Sequence, residues 1–144
     1  MTEDKIKKEH IATGVKVADW ESAIQASGDL LVKSEAVTSD YVKQMIESVN
    51  KNGPYIVIGP GIAIAHARPS EAVRENAISL AILEKGVPFG NEQNDPVDLV
   101  FSFSATGSDS HLKMIEELSR ILLDEEKVEQ IRKSKTVDEV YQIL

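Results

Sequence analysis

Two short apolar runs in the middle of the chain constrain the fold most strongly; they lie in the stretch GPYIVIGPGIAIAHARP at residues 53–69. The first run, at 55–58, has the length and composition of a buried strand. A Gly-Pro-Gly sequence at 59–61 then predicts a turn, and a second apolar run continues from it to residue 65. The pattern therefore predicts a strand segment with a break, and His66 stands at its end.

His66 is the first candidate functional residue, because an imidazole at the end of a strand is well placed to meet a ligand. Arg68 follows two residues later, and the nearby glycines let another molecule approach the backbone. A guanidinium beside an imidazole suits an anion, and histidine can take and give a small group near neutral pH. The residues alone leave a second interpretation open, in which His66 is a polar loop residue and Arg68 a solvated surface charge.

Composition and charge limit the class of protein. The 144 residues fit one domain with a sizeable core, and the lack of cysteine excludes disulfides and cysteine–metal sites. Residues 1–10 are highly charged, so we predict an exposed His10 and no signal peptide. No apolar run approaches the ~20 residues that span a bilayer, so we expect a cytoplasmic protein without direct membrane insertion. The net charge of −8 argues against nucleic acid and favours a basic partner protein.

Helical patterns at both ends of the chain enclose the strand-like segments. We predict one helix between Asp19 and Gly28, and a second that begins at Thr38 or Ser39 and ends at Gly53. The other predicted elements are strands at 55–64, 77–83 and 97–104, a helix striped by Leu112, Ile115, Leu118 and Leu122, a helix start at 124–126, and a last helix with a capping box at Thr136 and Glu139. This order predicts an α/β fold, with a single domain at 1–144 in which helices cover one sheet.

His111 is the second candidate, at the point where the long helix of the last third begins. It follows Ser108-Asp109-Ser110, any of which can cap that helix. Both histidines therefore follow strands, in loops that can share one crevice. A helix N-terminus adds free N–H groups and a partial positive charge, which suit a phosphate. The crevice is thus predicted to hold two imidazoles, a guanidinium and a helix start, an arrangement that can cradle a phosphohistidine.

Two other interpretations of His111 stay open at this point. It can be a helix-start residue that bonds a nearby carbonyl, without a role in chemistry. It can also belong to a metal site with His66, although the sequence has no HExxH spacing and no carboxylate placed to complete a set of ligands.

Several motifs, spread over nearly the whole chain, carry a family resemblance. They are Asp19-Trp20-Glu21, Tyr41-Val42, Gly53-Pro54-Tyr55-Ile56-Val57, the histidine motif, Val87-Pro88-Phe89-Gly90, Asn94-Asp95-Pro96-Val97 and His111-Leu112. With them the chain resembles the enzyme IIA proteins of the phosphoenolpyruvate-dependent sugar phosphotransferase system, of the mannitol/fructose type. The GPYIV and NDPV sequences most resemble the ascorbate-type branch. The fold that this resemblance implies is one α/β domain with a mixed sheet flanked by helices.

The resemblance also implies roles for particular residues. His66 corresponds to the phosphorylated histidine, and His111 to the second active-site histidine, which supports the phosphoryl group. The sequence departs from the family in two places. Ala65 stands where proline is common, and residues 47–49 lack an arginine that the mannitol-type branch has late in the second helix. We predict that Arg68 takes the place of that arginine as the phosphate-binding cation.

A sequence of transfers follows from the same resemblance. The histidine-containing phosphocarrier protein donates a phosphoryl group to His66, which passes it to a cysteine of enzyme IIB, and the membrane enzyme IIC couples this to sugar import. No cofactor or metal is needed, because the second histidine, the arginine and the helix N–H groups can neutralise the charge. We expect an apolar rim at Ile62, Ile64 and Ala65 to contact both partners, and the acidic surface to attract a basic face of the phosphocarrier.

Alternatives to a transport phosphocarrier remain at the level of sequence. One is a regulatory module of the same fold, whose phosphorylation state controls a partner protein. A more distant one is a metal-dependent hydrolase that uses both histidines. The branch resemblance favours ascorbate-type or related sugar uptake without naming the sugar, and a homo-oligomer is one of the oligomeric states left open.

Overall fold

A five-stranded β-sheet forms the centre of the molecule in the computed structural model, which describes residues 6–144. The strands are β1 (Ile11–Val15), β2 (Val57–Gly59), β3 (Ile62–Ala65), β4 (Ala77–Val87) and β5 (Val97–Ser104). The helices are α1 (Trp20–Lys33), α2 (Ser39–Asn52), α3 (Ser108–Leu122), α4 (Glu125–Lys133) and α5 (Val137–Ile143). The strand order is β1-β4-β5-β3-β2, with β1–β4 and β3–β5 parallel and the other neighbours antiparallel. The predicted mixed sheet flanked by helices is confirmed.

Helices cover both faces of the sheet and create two apolar cores. The core on the α1 and α2 face includes Ala23, Ile24, Leu31, Tyr41, Val42, Met45, Ala63, Ala65 and Val100. The core on the α3, α4 and α5 face includes Ile62, Ile64, Leu99, Phe101, Phe103, Met114, Leu118, Val128, Ile131 and Val140. Alternate residues of β3 enter opposite cores, and all four are buried. A strand buried on both faces has a continuous apolar sequence, which explains the lack of polar alternation in this run.

The first two helices agree with the sequence except at Gly28. α2 ends at Gly53 as predicted, where a φ of 85° stops the helix. The prediction that α1 ends at Gly28 was wrong, because this glycine lies buried inside the helix where α1 packs against α2. A Cβ atom at Gly28 would lie 2.8 Å from a methyl carbon of Val42. The glycine therefore allows two helices to approach each other and does not mark a helix end.

The beginning of the described chain differs most from the sequence analysis. No strand was predicted before the first helix, yet β1 pairs in parallel with β4 at the edge of the sheet. The prediction of an exposed His10 was also wrong, since this residue is 4% exposed and its Nε2 lies 2.7 Å from the Ser34 hydroxyl. A short strand beside a charged segment has too little apolar periodicity to be recognised. The other predictions for residues 1–10 are tested only from Ile6 onward, since residues 1–5 lie outside the described part.

The helix starts of the last third follow the sequence in part. A helix starts at 124–126 as predicted, with the Asp124 side chain as its cap, and Thr136 caps α5 through its side chain, as predicted. The cap of α3 is Gly107 instead of one of the three residues after it, and the Ser110 hydroxyl accepts a hydrogen bond from the Gly107 N–H at 3.1 Å. Within residues 6–144, no helix combines the length and apolar character needed to cross a membrane.

The turn between β2 and β3 is held by a side chain from α4. An Nη2–H of Arg132 donates to the Pro60 carbonyl at 2.7 Å, and its Nε–H bonds the carboxylate of Asp98 at 3.1 Å. Gly61 adopts a φ of 74°, and its N–H donates to the Asn94 carbonyl. These bonds fix the start of β3 and hence the direction in which the strand delivers His66.

Candidate functional site

The parallel pairing of β3 with β5 brings the two candidate histidines together. Ala65, the last residue of β3, lies opposite Ser102 of β5, so the strands end at the same edge of the sheet. His66 follows β3 directly, and the chain leaving β5 enters α3, which carries His111 in its first turn. The two imidazole ring centres are 5.5 Å apart with an angle of 72° between their planes. The structure therefore brings together the two histidines that the sequence predicted to be neighbours.

Phe103, which lies within the predicted strand 97–104, also belongs to this cluster. Its ring stacks on the imidazole of His66 at 5.0 Å and 15°, and it meets His111 edge-on at 5.1 Å. The phenyl ring thus supports both imidazoles from the core side. The sequence predicted that this residue lies in a strand, but nothing in it indicated a contact with the histidines.

One hydrogen bond sets the tautomer of His66. Its Nδ1 lies 3.0 Å from the Ile64 carbonyl oxygen. Because a carbonyl can only accept, Nδ1 carries the proton and Nε2 carries the lone pair. The sequence analysis did not say which nitrogen would be free, and this hydrogen bond leaves the lone pair of Nε2 unengaged.

The surroundings of His66 also favour the neutral ring. Burial lowers the pKa of His66 below its ordinary value of 6.5, and the nearby His111 lowers it further, while the bond to Ile64 acts in the opposite direction. The net direction is downward, so the imidazole is predominantly uncharged at neutral pH. A neutral ring is the form that can attack an electrophile.

Arg68 lies two residues beyond His66 and is exposed. Within residues 6–144 the Arg68 guanidinium makes no hydrogen bond or ion pair, so the structure brings the two histidines together and leaves Arg68 at the periphery.

Tyr55 lies beside His66 and is in contact with helix α2. The Ser48 hydroxyl of α2 lies 2.7 Å from the Tyr55 hydroxyl. The Tyr55 ring meets the His66 ring edge-on at 5.8 Å. Tyr55 is thus a neighbour of His66 that the sequence analysis did not assign to the site.

The apolar surface around the site differs from the predicted rim. Ile62, Ile64 and Ala65 are all buried, at 6%, 7% and 1% exposure, so they cannot contact a partner and that prediction was wrong. The β3 residues point into the two cores, whereas the exposed large apolar side chains lie just before β2, within β2, in α3 and directly after α3. In the described chain these exposed side chains are Tyr55, Ile58, Leu112, Ile115 and Leu123.

The site has little capacity to hold a metal ion. In the part of the chain that the structure describes, no group of three or more histidine, aspartate or glutamate side chains is placed to bind one. The two imidazoles therefore lack a third protein ligand, whereas structural and catalytic zinc sites use three or four. Their arrangement fits the handling of a small group at Nε2 better than metal chemistry.

The fold is a mixed sheet between two helical layers, with a neutral imidazole and a second imidazole at one edge, and it is the fold of the enzyme IIA proteins. Residues 4–144 match the family described as "phosphoenolpyruvate-dependent sugar phosphotransferase system, EIIA 2". The chain belongs to this family, whose members are phosphotransferases, and the resemblance noted in the sequence is confirmed.

Individual relatives agree with that assignment. The ascorbate-specific phosphotransferase-system EIIA component of Shigella boydii is 32% identical over 126 residues, which cover 87% of this chain and 82% of that protein. The mannitol-specific cryptic phosphotransferase enzyme IIA CmtB of Escherichia coli has the same fold, with a TM-score of 0.88, 31% identity, and coverage of 98% of this chain and 95% of that one. Enzyme IIA in the complex of IIAMTL and phosphorylated IIBMTL from Escherichia coli matches with a TM-score of 0.84 and 29% identity, over 96% of each chain.

Proposed function

We propose that this chain is a phosphocarrier that accepts a phosphoryl group on Nε2 of His66 from the histidine-containing phosphocarrier protein and passes it to a cysteine of enzyme IIB. The observation that carries the proposal is the hydrogen bond from Nδ1 to the Ile64 carbonyl, since it leaves the Nε2 lone pair on a neutral ring beside His111. The domain that does this is taken to be the whole chain, residues 1–144.

In each of the two transfer steps, one bond to phosphorus forms while another breaks. In the first, the Nε2 lone pair of His66 attacks phosphorus, the new P–N bond forms, and the P–N bond of the donor breaks. In the second, a thiolate of enzyme IIB attacks phosphorus, and the P–Nε2 bond breaks with its electron pair returning to the ring. The proton held on Nδ1 by Ile64 keeps the ring a good leaving group in this step. His111, the α3 N-terminus and Arg68 supply positive potential for the phosphoryl oxygens.

Partner proteins must cover the surface next to His66, because the phosphorus atom has to reach Nε2. Leu112 and Tyr55, at 62% and 47% exposure, neighbour the two histidines in sequence or in space. We propose that these side chains replace the predicted rim as the apolar contact for both partners. The relatives named as ascorbate-specific favour ascorbate-type or related sugar uptake for the system, and the complex of IIAMTL with phosphorylated IIBMTL supports an enzyme IIB partner.

The experiment that tests the nucleophile is intact-mass spectrometry after incubation with phosphoenolpyruvate, enzyme I and the phosphocarrier protein. The wild type should gain one phosphate that is labile to acid and stable to base, and His66→Ala should gain none. His111→Ala is the matched control, since it removes the neighbouring imidazole and should still accept phosphate while transferring it to enzyme IIB more slowly. A stoichiometric phosphate on His66→Ala would overturn the assignment.

Transfer to enzyme IIB separates transport from regulation. Phosphorylated wild-type protein mixed with enzyme IIB should lose its phosphate to the cysteine of that partner within the time of a catalytic turnover. Phosphate that enters His66 but never leaves for enzyme IIB would point instead to the regulatory module.

A further inference from the structure

The Tyr41 hydroxyl occupies the place where β3 and β5 separate, one residue beyond His66. Tyr41 lies on α2 and is fully buried. Its Oη donates to the Phe103 carbonyl at 2.7 Å and accepts from the Ala67 N–H at 3.0 Å. Both partners adjoin the site, because Ala67 directly follows His66 and the ring of Phe103 contacts both imidazoles.

The strand register shows what the hydroxyl replaces. The Ile64 N–H points away from β5 and bonds the Ile56 carbonyl, so the N–H groups of Ala65 and Ala67 point towards β5. With Ala65 opposite Ser102, the next rung of the parallel ladder would run from the Ala67 N–H to the Phe103 carbonyl. The Tyr41 hydroxyl is inserted into that rung and bonds both of its ends.

The insertion changes the spacing of the two strands. A direct rung holds nitrogen and oxygen about 2.9 Å apart. Here the same two atoms are joined through two hydrogen bonds of 3.0 and 2.7 Å. The chain after β3 therefore leaves the sheet at the residue that carries the imidazole, and the Ala67 N–H and the Phe103 carbonyl both keep a hydrogen-bond partner.

We propose that Tyr41 is a positioning residue for His66, whose hydroxyl parts β3 from β5 at this rung and thereby fixes the imidazole with Nδ1 towards the Ile64 carbonyl and Nε2 free. This inference rests on the proposed function for its effect on phosphoryl transfer, but its effect on the ring is independent of transfer. Tyr41 does not touch the phosphoryl group and acts only through the backbone on either side of the site.

The hydroxyl is suited to a permanent structural role. Burial raises the pKa of Tyr41 to about 12, so the group keeps its proton throughout the physiological range and always has one hydrogen to donate. Without the hydroxyl, two outcomes are available to the backbone. Ala67 can close onto Phe103 and move His66, or the N–H and carbonyl can remain buried without partners.

The test is Tyr41→Phe, which removes the hydroxyl and keeps the ring. The matched control is Ser79→Ala on β4, which also removes a fully buried hydroxyl, one that donates to the Ser27 carbonyl at 2.7 Å. Ser79 lies opposite Ser102, which in turn lies opposite Ala65, so the control is two strands away from β3. Three quantities are compared: thermal stability, the ring ¹⁵N chemical shifts of His66, and the rate of phosphoryl acceptance.

We expect both variants to lose thermal stability and only Tyr41→Phe to alter the site. In the wild type and in Ser79→Ala, the ¹⁵N shifts should show a protonated Nδ1 and an unprotonated Nε2. In Tyr41→Phe the shifts should move towards an average of the two tautomers, and phosphoryl acceptance should slow by about 10- to 100-fold, as for a misplaced reacting group. If Tyr41→Phe matches Ser79→Ala in the ring shifts and in the rate, Tyr41 is only a stabilising residue and the inference is wrong.

A measurement on the wild type covers the case in which Tyr41→Phe does not fold. The Tyr41 hydroxyl proton should exchange slowly with solvent and show a nuclear Overhauser effect to the Ala67 amide proton. Rapid exchange without that effect would also overturn the inference. If the wild type accepts no phosphate at all, the proposed function fails while the ring shifts and the hydroxyl proton still test the role of Tyr41.

Discussion

A single backbone carbonyl determines which nitrogen of His66 can react. Had the imidazole paired with a carboxylate, the ring would favour the protonated state and lose its nucleophilic lone pair. The Ile64 carbonyl orients the ring without supplying a full negative charge. Burial can then lower the pKa of His66, and the residue combines a fixed orientation with a neutral ring.

The lowered pKa of His66 predicts how stability depends on pH. His10 is also buried with a lowered pKa, and for both residues the unfolded chain binds protons at a higher pH than the folded chain. The free energy of unfolding should therefore fall as the pH drops below 6.5, and stop falling once both groups are protonated in the folded state as well. Urea denaturation over this pH range should show a smaller fall for His66→Gln than for the wild type. Parallel curves would contradict the lowered pKa.

Arg68 is the predicted phosphate-binding residue for which a mutation is most informative, because the structure leaves it at the periphery of the histidine pair. If its guanidinium binds the phosphoryl oxygens, Arg68→Ala should slow transfer to enzyme IIB by an amount equal to about 1–3 kcal/mol, and Arg68→Lys should lie between. The side chain is exposed, so thermal stability should hardly change. Transfer kinetics of the two variants measure the effect. Unchanged rates in both directions would make Arg68 a surface charge and leave the phosphate to other groups.

The contact between α1 and α2 depends on the missing side chain of Gly28. A Cβ there would lie 2.8 Å from Val42 Cγ2 and 3.1 Å from Met45 Cε, and the branched valine cannot easily move away. Gly28→Ala should therefore lower the free energy of unfolding by about 1–2 kcal/mol, since overpacking outweighs the better helix propensity of alanine.

A second variant reverses the sign of this effect. In a Val42→Ala background the new methyl group has room, so Gly28→Ala should be neutral or stabilising there. Chemical denaturation of the four proteins in this cycle measures the coupling directly. Equal costs of Gly28→Ala in both backgrounds would mean that the helix contact does not restrict position 28.

Elements with strong local signals were predictable, and those that depend on distant partners were not. Strand 97–104, the end of α2 at Gly53 and the capping side chains of α4 and α5 follow from periodicity and local hydrogen bonding. β1 is stable only because β4 pairs with it, and Gly28 looked like a helix end because a glycine inside a helix is normally unfavourable. Tertiary packing decided both cases.

The residues of the candidate site were also predictable only in part. The sequence singled out His66 and His111 from their positions after strands, and the parallel register of β3 and β5 explains why they meet. The roles of Tyr41, Tyr55 and Phe103 arise from contacts between residues 26–62 positions apart or from ring packing. No local pattern encodes such contacts, so these residues appeared only in the structure.

At the scale of the whole molecule, the net charge and the exposed apolar side chains would affect partner binding over different distances. The net charge of −8 acts at long range and would attract a basic face on a partner, with an effect that salt screens. The exposed apolar side chains act only on contact, and those near the histidines have to be covered when a partner delivers its phosphoryl group. Association rate and affinity should therefore respond to different substitutions.

The contact role of Leu112 can be separated from general surface effects. Leu112→Ser should raise KM for the phosphocarrier about fivefold, equal to about 1 kcal/mol, with little change in kcat or thermal stability. Leu123→Ser is the matched control, because this leucine is 83% exposed and lies eleven residues further along the chain, at the end of α3, about 16 Å away along the helix axis. Steady-state transfer kinetics compare the two. An equal rise in KM for both variants would place the contact surface elsewhere.

The burial of β3 on both faces has a consequence for how the site opens. The amides of a strand flanked by β2 and β5 and covered by helices exchange with solvent only when much of the sheet unfolds, whereas the first turn of a helix opens in local fluctuations. His66 is therefore attached to one of the slowest-exchanging segments of the molecule, and His111 to one that exchanges faster. Transient opening therefore releases the imidazole of His111 first and leaves that of His66 anchored. If His66 carries the phosphoryl group as proposed, that group is held by the most persistent part of the fold.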